Sequence, residues 1–148
     1  MNTDPTEPSE PNRTELLFPF GDGGCFGCSK SNPDGLQLRF FQSGNQVSAI
    51  YSVSDKFHGA PGVTHGGIVA TILDEFSCAA AVFLKGSRVV TGELQIRYER
   101  PCPVETDLLV RAEVTSDEHP RYLVVEAEIL LDGERLVRST GKFFRQSE

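Results

Sequence analysis

His65-Gly66-Gly67-Ile68-Val69-Ala70-Thr71-Ile72-Leu73-Asp74-Glu75-Phe76, continuing apolar to Phe83, is the stretch on which the reading of this chain turns. Its apolar residues at 68, 69, 72, 73, 76, 79, 80 and 83 recur at helical spacing and cover well over half the circumference, so the spacing predicts a central helix over about 65–84. Lys85-Gly86 supplies the basic residue and the glycine that commonly close a helix. The Gly-Gly step at the other end leaves backbone N–H groups free at the positive end of the helix dipole. Such an end holds a carbonyl oxygen that is becoming negative. Asp74 and Glu75 interrupt the apolar run, and carboxylates there are costly unless paired, protonated or used. Together these features imply a site where an activated acyl group is attacked.

Working outward, the 148 residues, 39% hydrophobic and 24% charged, fit one soluble domain with a sizeable core. With Asp74 and Glu75 splitting the longest apolar run, no membrane span of ~20 residues is expected. The N-terminus carries no basic patch followed by an apolar core, so no secretory signal is expected and the expected location is cytoplasmic. The net charge of −7 argues against a nucleic-acid partner. Residues 1–15 contribute −3 of it (Asp4, Glu7, Glu10 and Glu15 against Arg13) and read as an acidic, Pro-rich disordered tail. An anionic ligand would need a local basic cluster, for which Lys30, Arg88, Arg97, Arg100 and Arg138 are the candidates.

Residues 16–148 read as a single domain. Leu16-Leu17-Phe18-Pro19-Phe20 is an apolar anchor, and Gly21 to Gly35 a long loop ending in the turn Asn32-Pro33-Asp34-Gly35. Strands are expected over 36–41 and 46–53, with Ser43-Gly44-Asn45 as hairpin turn and a Gly/Pro-rich loop over 54–64. After the helix, strands are expected over 88–100, 107–117, 121–131 and 134–145, the last two joined by Asp132-Gly133. Two strands, one buried helix and four strands suit an α+β fold: a strongly bent antiparallel sheet wrapped around one long helix. Cys25-x-x-Cys28 has the spacing of half a zinc knuckle, but no second CxxC or HxxxH follows. With Cys78 and Cys102, these residues are expected as reduced, packed thiols, with no metal.

That element order and motif resemble the hotdog-fold thioesterase superfamily, in particular its phenylacetic-acid-pathway and mitochondrial acyl-CoA thioesterase members. The resemblance runs over about 25–145. It rests on Cys25-Phe26-Gly27-Cys28 with Asn32-Pro33-Asp34-Gly35-Leu36, on Gly59 through Gly67 with the acid nine residues after His65, and on Leu94 through Pro101. It implies that Asp74 is the catalytic carboxylate, as nucleophile or as base for water. Gly67 N–H would meet the thioester carbonyl, His65 and Gly66 would shape the helix start, and Thr91 would orient water. Gly59 stands where some members carry an Asn or Gln, so one oxyanion contact is absent. Coenzyme A enters by resemblance alone as part of the substrate, and no separate cofactor is implied. Gly66, Gly59, Glu75 and Arg88 are expected on the substrate side, Glu75 as a hydrogen-bonding group behind the site or at the dimer interface.

Distance adds an inference independent of the resemblance. Gly67 and Asp74 share a helix face but lie ~10 Å apart along the axis, too far for one carbonyl to meet both. A homodimer with composite sites, extending to a tetramer, solves this. Asp74 is preferred over Glu75 because consecutive helical residues point about 100° apart and Asp74 shares the face of Gly67. His65 is expected chiefly to hydrogen-bond a backbone carbonyl and so fix the helix start, ahead of direct proton transfer. The reading is therefore hydrolysis of an acyl-CoA-type thioester. Its rivals are a non-catalytic acyl-thioester-binding protein and a hydratase or dehydratase of the same fold.

Overall fold

The computed structural model describes residues 14–18 and 23–147, and the quoted stretch is its centre. Helix α1 (Gly66–Lys85) begins immediately after His65 and ends where Gly86 turns left-handed, at φ 66°. Gly86 N–H and Ser87 N–H close back on the carbonyls of Val82 and Ala81 at 3.0 and 3.2 Å, which is why a glycine is required there. Val69, Ile72, Leu73, Phe76, Ala79 and Ala80 are buried, matching the apolar spacing of the sequence. In length and composition α1 is apolar enough to cross a bilayer, which corrects the expectation that its two acids preclude this. In the fold eight of its residues are instead buried under protein.

The cover is a seven-stranded antiparallel sheet: β1 (Thr14–Leu16), β2 (Phe40–Ser43), β3 (Gln46–Ser52), β4 (Val89–Tyr98), β5 (Asp107–Ser116), β6 (Tyr122–Leu131) and β7 (Glu134–Arg145). In space the order is β1-β2-β3-β5-β6-β7-β4, so the strand that follows the helix closes one edge. The helix contacts β3, β4, β5, β6 and β7, and this is the hotdog architecture expected from the sequence. The hairpin turns fall at Gly44-Asn45 and Asp132-Gly133. Gly44, Asp132 and Gly133 all have positive φ there, the requirement of tight hairpins between right-twisted strands.

Three local departures have physical causes. Residues 36–39, expected in a strand, precede β2 without joining its ladder. Leu36 and Leu38 keep the buried alternation, but their N–H groups bond Phe26 O and Gly27 O at 2.8 and 3.0 Å. Gln37 between them has a φ of 53°. Thr14 and Glu15, expected in the tail, form β1 because Arg39 and Lys30 hold the Glu15 carboxylate at 2.6–3.0 Å. The 54–64 loop contains a 3-10 turn, Asp55–Phe57, capped by Ser54. Of the apolar anchor, Leu16 and Phe18 pack on the core. Pro19 and Phe20, and residues 1–13 of the expected tail, lie outside the described residues.

Candidate active site

The start of α1 is organised by His65. As the residue preceding the first helical position, its side chain accepts a hydrogen bond from Gly67 N–H through Nδ1 at 2.9 Å. Its carbonyl takes the N–H groups of Ile68 and Val69 at 2.9 and 3.0 Å. The imidazole thus does the work of a helix N-cap, with the ring as acceptor from an N–H rather than donor to a carbonyl. It also occupies the Gly67 N–H that the sequence assigns to an oxyanion. Gly66 N–H has no hydrogen-bond acceptor among the described residues. The exposed Gly66-Gly67 step is fixed from the other side by Tyr98, whose hydroxyl donates to Gly66 O at 2.7 Å. Gly59 backs His65, since a Cβ there would come 3.2 Å from His65 Cα.

Two turns along, the half-buried Asp74 faces β4. The Thr91 hydroxyl donates to Asp74 Oδ1 at 2.6 Å, the short distance of a charge-assisted bond. Cys78, one turn beyond Asp74 on the same face, brings Sγ within 3.7 Å of that hydroxyl. Burial, followed by the charge of Asp74, pushes the Cys78 thiol up to about 12, so it stays protonated beside the carboxylate.

Thr91 and Tyr98 reach the same helix because β4 carries a bulge. Thr91 pairs with Phe143 and Glu93 with Lys142, leaving Gly92 as the extra residue. Beyond it Leu94, Ile96 and Tyr98 lie opposite Gly141, Ser139 and Val137, positions of β7 that are buried towards the helix. Strict alternation from Thr91 would have sent Tyr98 to the opposite face. A Cβ at 92 would fall 2.2 Å from the Phe144 ring, so any other residue there requires that ring to move.

Glu75 looks elsewhere. It turns towards the lead-in loop, where Cys25 Sγ donates to Oε1 at 3.8 Å. A Cβ on Gly27 would lie 2.7 Å from both Cγ and Cδ of Glu75, so with a glycine at 27 the loop closes on the carboxylate as it stands. Burial and then the charge of Asp74 raise the Glu75 carboxyl, while the two thiols partly offset this. Cys28 is pushed strongly upwards by burial and by its neighbour Cys25.

The structure therefore brings together Asp74 with Thr91, and separately His65, Gly66, Gly67 and Gly59 at the helix start. Arg88 stands apart, exposed beyond the opposite end of α1, its carbonyl bonded by Gln146 N–H at 2.9 Å. His58 bonds Asp55 O at 2.7 Å and His119 stacks on Tyr122 with ring centroids 4.0 Å apart, both away from Asp74. Sequence reasoning missed Tyr98 and Cys78. Tyr98 sits inside the Leu94–Pro101 segment that carries the resemblance, and Cys78 lies four residues after Asp74, the spacing that puts two helical side chains on one face.

Comparison with known proteins bears on the family and the fold. The family model described as "Thioesterase superfamily" matches residues 61–137, just over half of the chain and including α1 and Thr91. An acyl-coenzyme A thioesterase of Xenopus laevis, THEM4, is 38% identical over 73 residues, 49% of this chain and 32% of that protein. The match spans about a third of the length of the curated relatives. Among solved structures, zebra fish thioesterase superfamily member 2 superposes with a TM-score of 0.70 at 17% identity, covering 80% of this chain and 90% of that one. A Streptococcus mutans protein solved with acetyl CoA gives 0.65 at 22%, covering 70% and 83%. At such identities these two likenesses show the fold.

Proposed function

The chain belongs to the thioesterase superfamily, and we propose that within it this protein hydrolyses an acyl-CoA-type thioester to a free acid and a thiol. The observation that carries this reading is the Asp74–Thr91 pair: a half-buried carboxylate, held at 2.6 Å by a hydroxyl, in the middle of a mostly apolar helix. A carboxylate so placed is positioned and has its second oxygen left for chemistry.

As base, Asp74 takes a proton from a water oriented by the Thr91 hydroxyl; the water oxygen bonds the acyl carbon, the C–S bond breaks, and the departing thiolate is protonated. As nucleophile, Asp74 itself bonds the acyl carbon, the C–S bond breaks and the thiolate leaves to be protonated by solvent, and water then hydrolyses the resulting anhydride to the free acid and restored Asp74. Both routes need a donor for the carbonyl oxygen as it turns negative. The Gly66-Gly67 step supplies it, through Gly66 N–H and through Gly67 N–H once His65 yields it.

Because the step lies ~10 Å along the axis from Asp74 of the same helix, the donor comes from a second copy. The outer strand β4 supports that pairing: it is a ten-residue edge with Val90 and Tyr98 each about half exposed, and such an edge is a template for another strand. The coenzyme A carrier is supported by the names of the Xenopus and Streptococcus proteins.

Thiol release from short, medium, long, phenylacetyl and hydroxybenzoyl CoA esters, with wild type and Asp74→Asn in parallel, tests the reading. Turnover that vanishes in the variant is the expected result. One observation favours acyl-thioester binding without turnover, namely the engagement of Gly67 N–H by His65. Saturable binding with no thiol release from any ester would select that alternative.

A further inference from the structure

Glu75 belongs to no step of the proposed hydrolysis, yet it is built into a second constellation. One ligand atom from each of Cys25, Cys28 and Glu75 lies within 4.8 Å of the others. The thiols come from a loop and the carboxylate from α1, fifty residues after Cys25. We propose that Cys25, Cys28 and Glu75 bind a zinc ion, with water completing the fourth position.

The donor set fits. Zn–S bonds of about 2.3 Å and a Zn–O bond of about 2.0 Å in a tetrahedron require donor separations of roughly 3.5–3.8 Å. Cys25 Sγ and Glu75 Oε1 already stand 3.8 Å apart, and the widest separation need contract by only about 1 Å. Two thiolates favour zinc over magnesium or calcium, which prefer all-oxygen sites. Binding releases both thiol protons, and the three anions with the dication leave the site a net charge of −1.

The scaffold is also ordered before any ion arrives. Cys25 O accepts from Ser29 N–H at 3.0 Å, Phe26 O from Leu36 N–H at 2.8 Å and Gly27 O from Leu38 N–H at 3.0 Å, which pins the loop carrying both cysteines. Gly27 lets that loop touch the Glu75 side chain, where any Cβ would collide with it. All three ligands are half-buried rather than sealed, so an ion has access. Sequence spacing shows only half of this site, because the third ligand lies on the helix. Zinc here would staple the lead-in loop to the central helix at the residue beside Asp74. This inference does not depend on the hydrolase reading.

The test uses the full chain, purified reduced and free of chelator. Elemental analysis is expected to give about one zinc per chain. Cobalt(II) added to the metal-free protein is expected to give thiolate-to-metal charge transfer and the d–d bands of a tetrahedral centre. Cys25→Ser and Cys28→Ser should each weaken zinc binding at least about tenfold, and Cys102→Ser should leave it unchanged. Only trace zinc, with no charge-transfer band from the reduced wild type, overturns the proposal. So does zinc retained by the double Cys25→Ser, Cys28→Ser variant, or a Cys25–Cys28 disulfide whose reduction restores no zinc binding. Metal content and the cobalt spectrum of the wild type do not depend on how the variants fold.

Discussion

On the side of α1 that faces β4, Asp74 receives a hydroxyl hydrogen bond beside an open sheet edge. One residue later, Glu75 turns into a closed loop and meets two thiols. Composition and charge do not separate these two acids. What separates them is about 100° of helical rotation, which hands one to the edge strand and the other to a segment far earlier in the chain. A catalytic role is thus read from what approaches a side chain, and a carboxylate in an apolar helix is only a candidate until its neighbours are known.

The largest effect should separate the pair outright. Asp74→Asn keeps the shape but removes the base or nucleophile, and kcat should fall by about 10²–10⁴-fold with the thermal unfolding midpoint little changed. Equal loss of kcat in Glu75→Gln would break the comparison by showing that both acids serve one reaction. Next, Thr91→Val removes the hydroxyl from Asp74 Oδ1. A hydrogen bond to a charged group contributes about 1.5–3 kcal/mol, so kcat should drop by roughly tenfold to a hundredfold while KM moves far less. An unchanged kcat would leave Thr91 a packing residue.

On the other side, Gly27→Ala drives a methyl into Glu75. Overpacking of this kind costs about 1–3 kcal/mol, to be read by denaturant unfolding. A neutral result would mean that the loop does not hold Glu75 tightly. The smallest effect concerns a third carboxylate, which sharpens the contrast with Glu75. Arg39 and Lys30 hold Glu15 down to about 2 from an ordinary 4.5, opposite in direction to the shift of Glu75. A depressed carboxyl contributes stability that is fully present above its unfolded value and lost as pH falls towards the folded one. Wild type should therefore lose a small increment between about pH 4.5 and 2 that Glu15→Gln lacks, small because the pair is largely solvated. Identical acid-side slopes in the two proteins would rule out this contribution.

Much of this was legible in the sequence because it is local or periodic. The helix limits follow from Gly66-Gly67 and Gly86, and the hairpins from Gly44-Asn45 and Asp132-Gly133. Leu94, Ile96 and Tyr98 alternate as a strand should. What stayed hidden depends on partners distant in the chain. β1 exists because Glu15 finds Arg39 and Lys30, and residues 36–39 leave the ladder because the N–H groups of Leu36 and Leu38 find the lead-in loop. Half a zinc knuckle shows no third ligand until the helix delivers Glu75. Of the candidate site, Asp74, Thr91 and the Gly67–Asp74 spacing along one helix are legible, but the Asp74–Thr91 bond needs the β4–β7 register. The capture of Gly67 N–H by His65 depends on a ring orientation that no motif spells out.

The extra residue at Gly92 behaves like a parity bit in the strand. With it, Thr91 at one end of β4 and Tyr98 at the other are in phase, and both ends of α1's working stretch are tied by the same strand. Deleting that one glycine would leave a strand of almost the same length and composition. Yet if the pairing with β7 beyond residue 92 were kept, the hydroxyl meant for Asp74 would point away from it. The site is therefore more sensitive to insertions and deletions along this edge than to most substitutions in it. A relative that shifts the count here by one should be read as having a different half-site, however well its individual residues align.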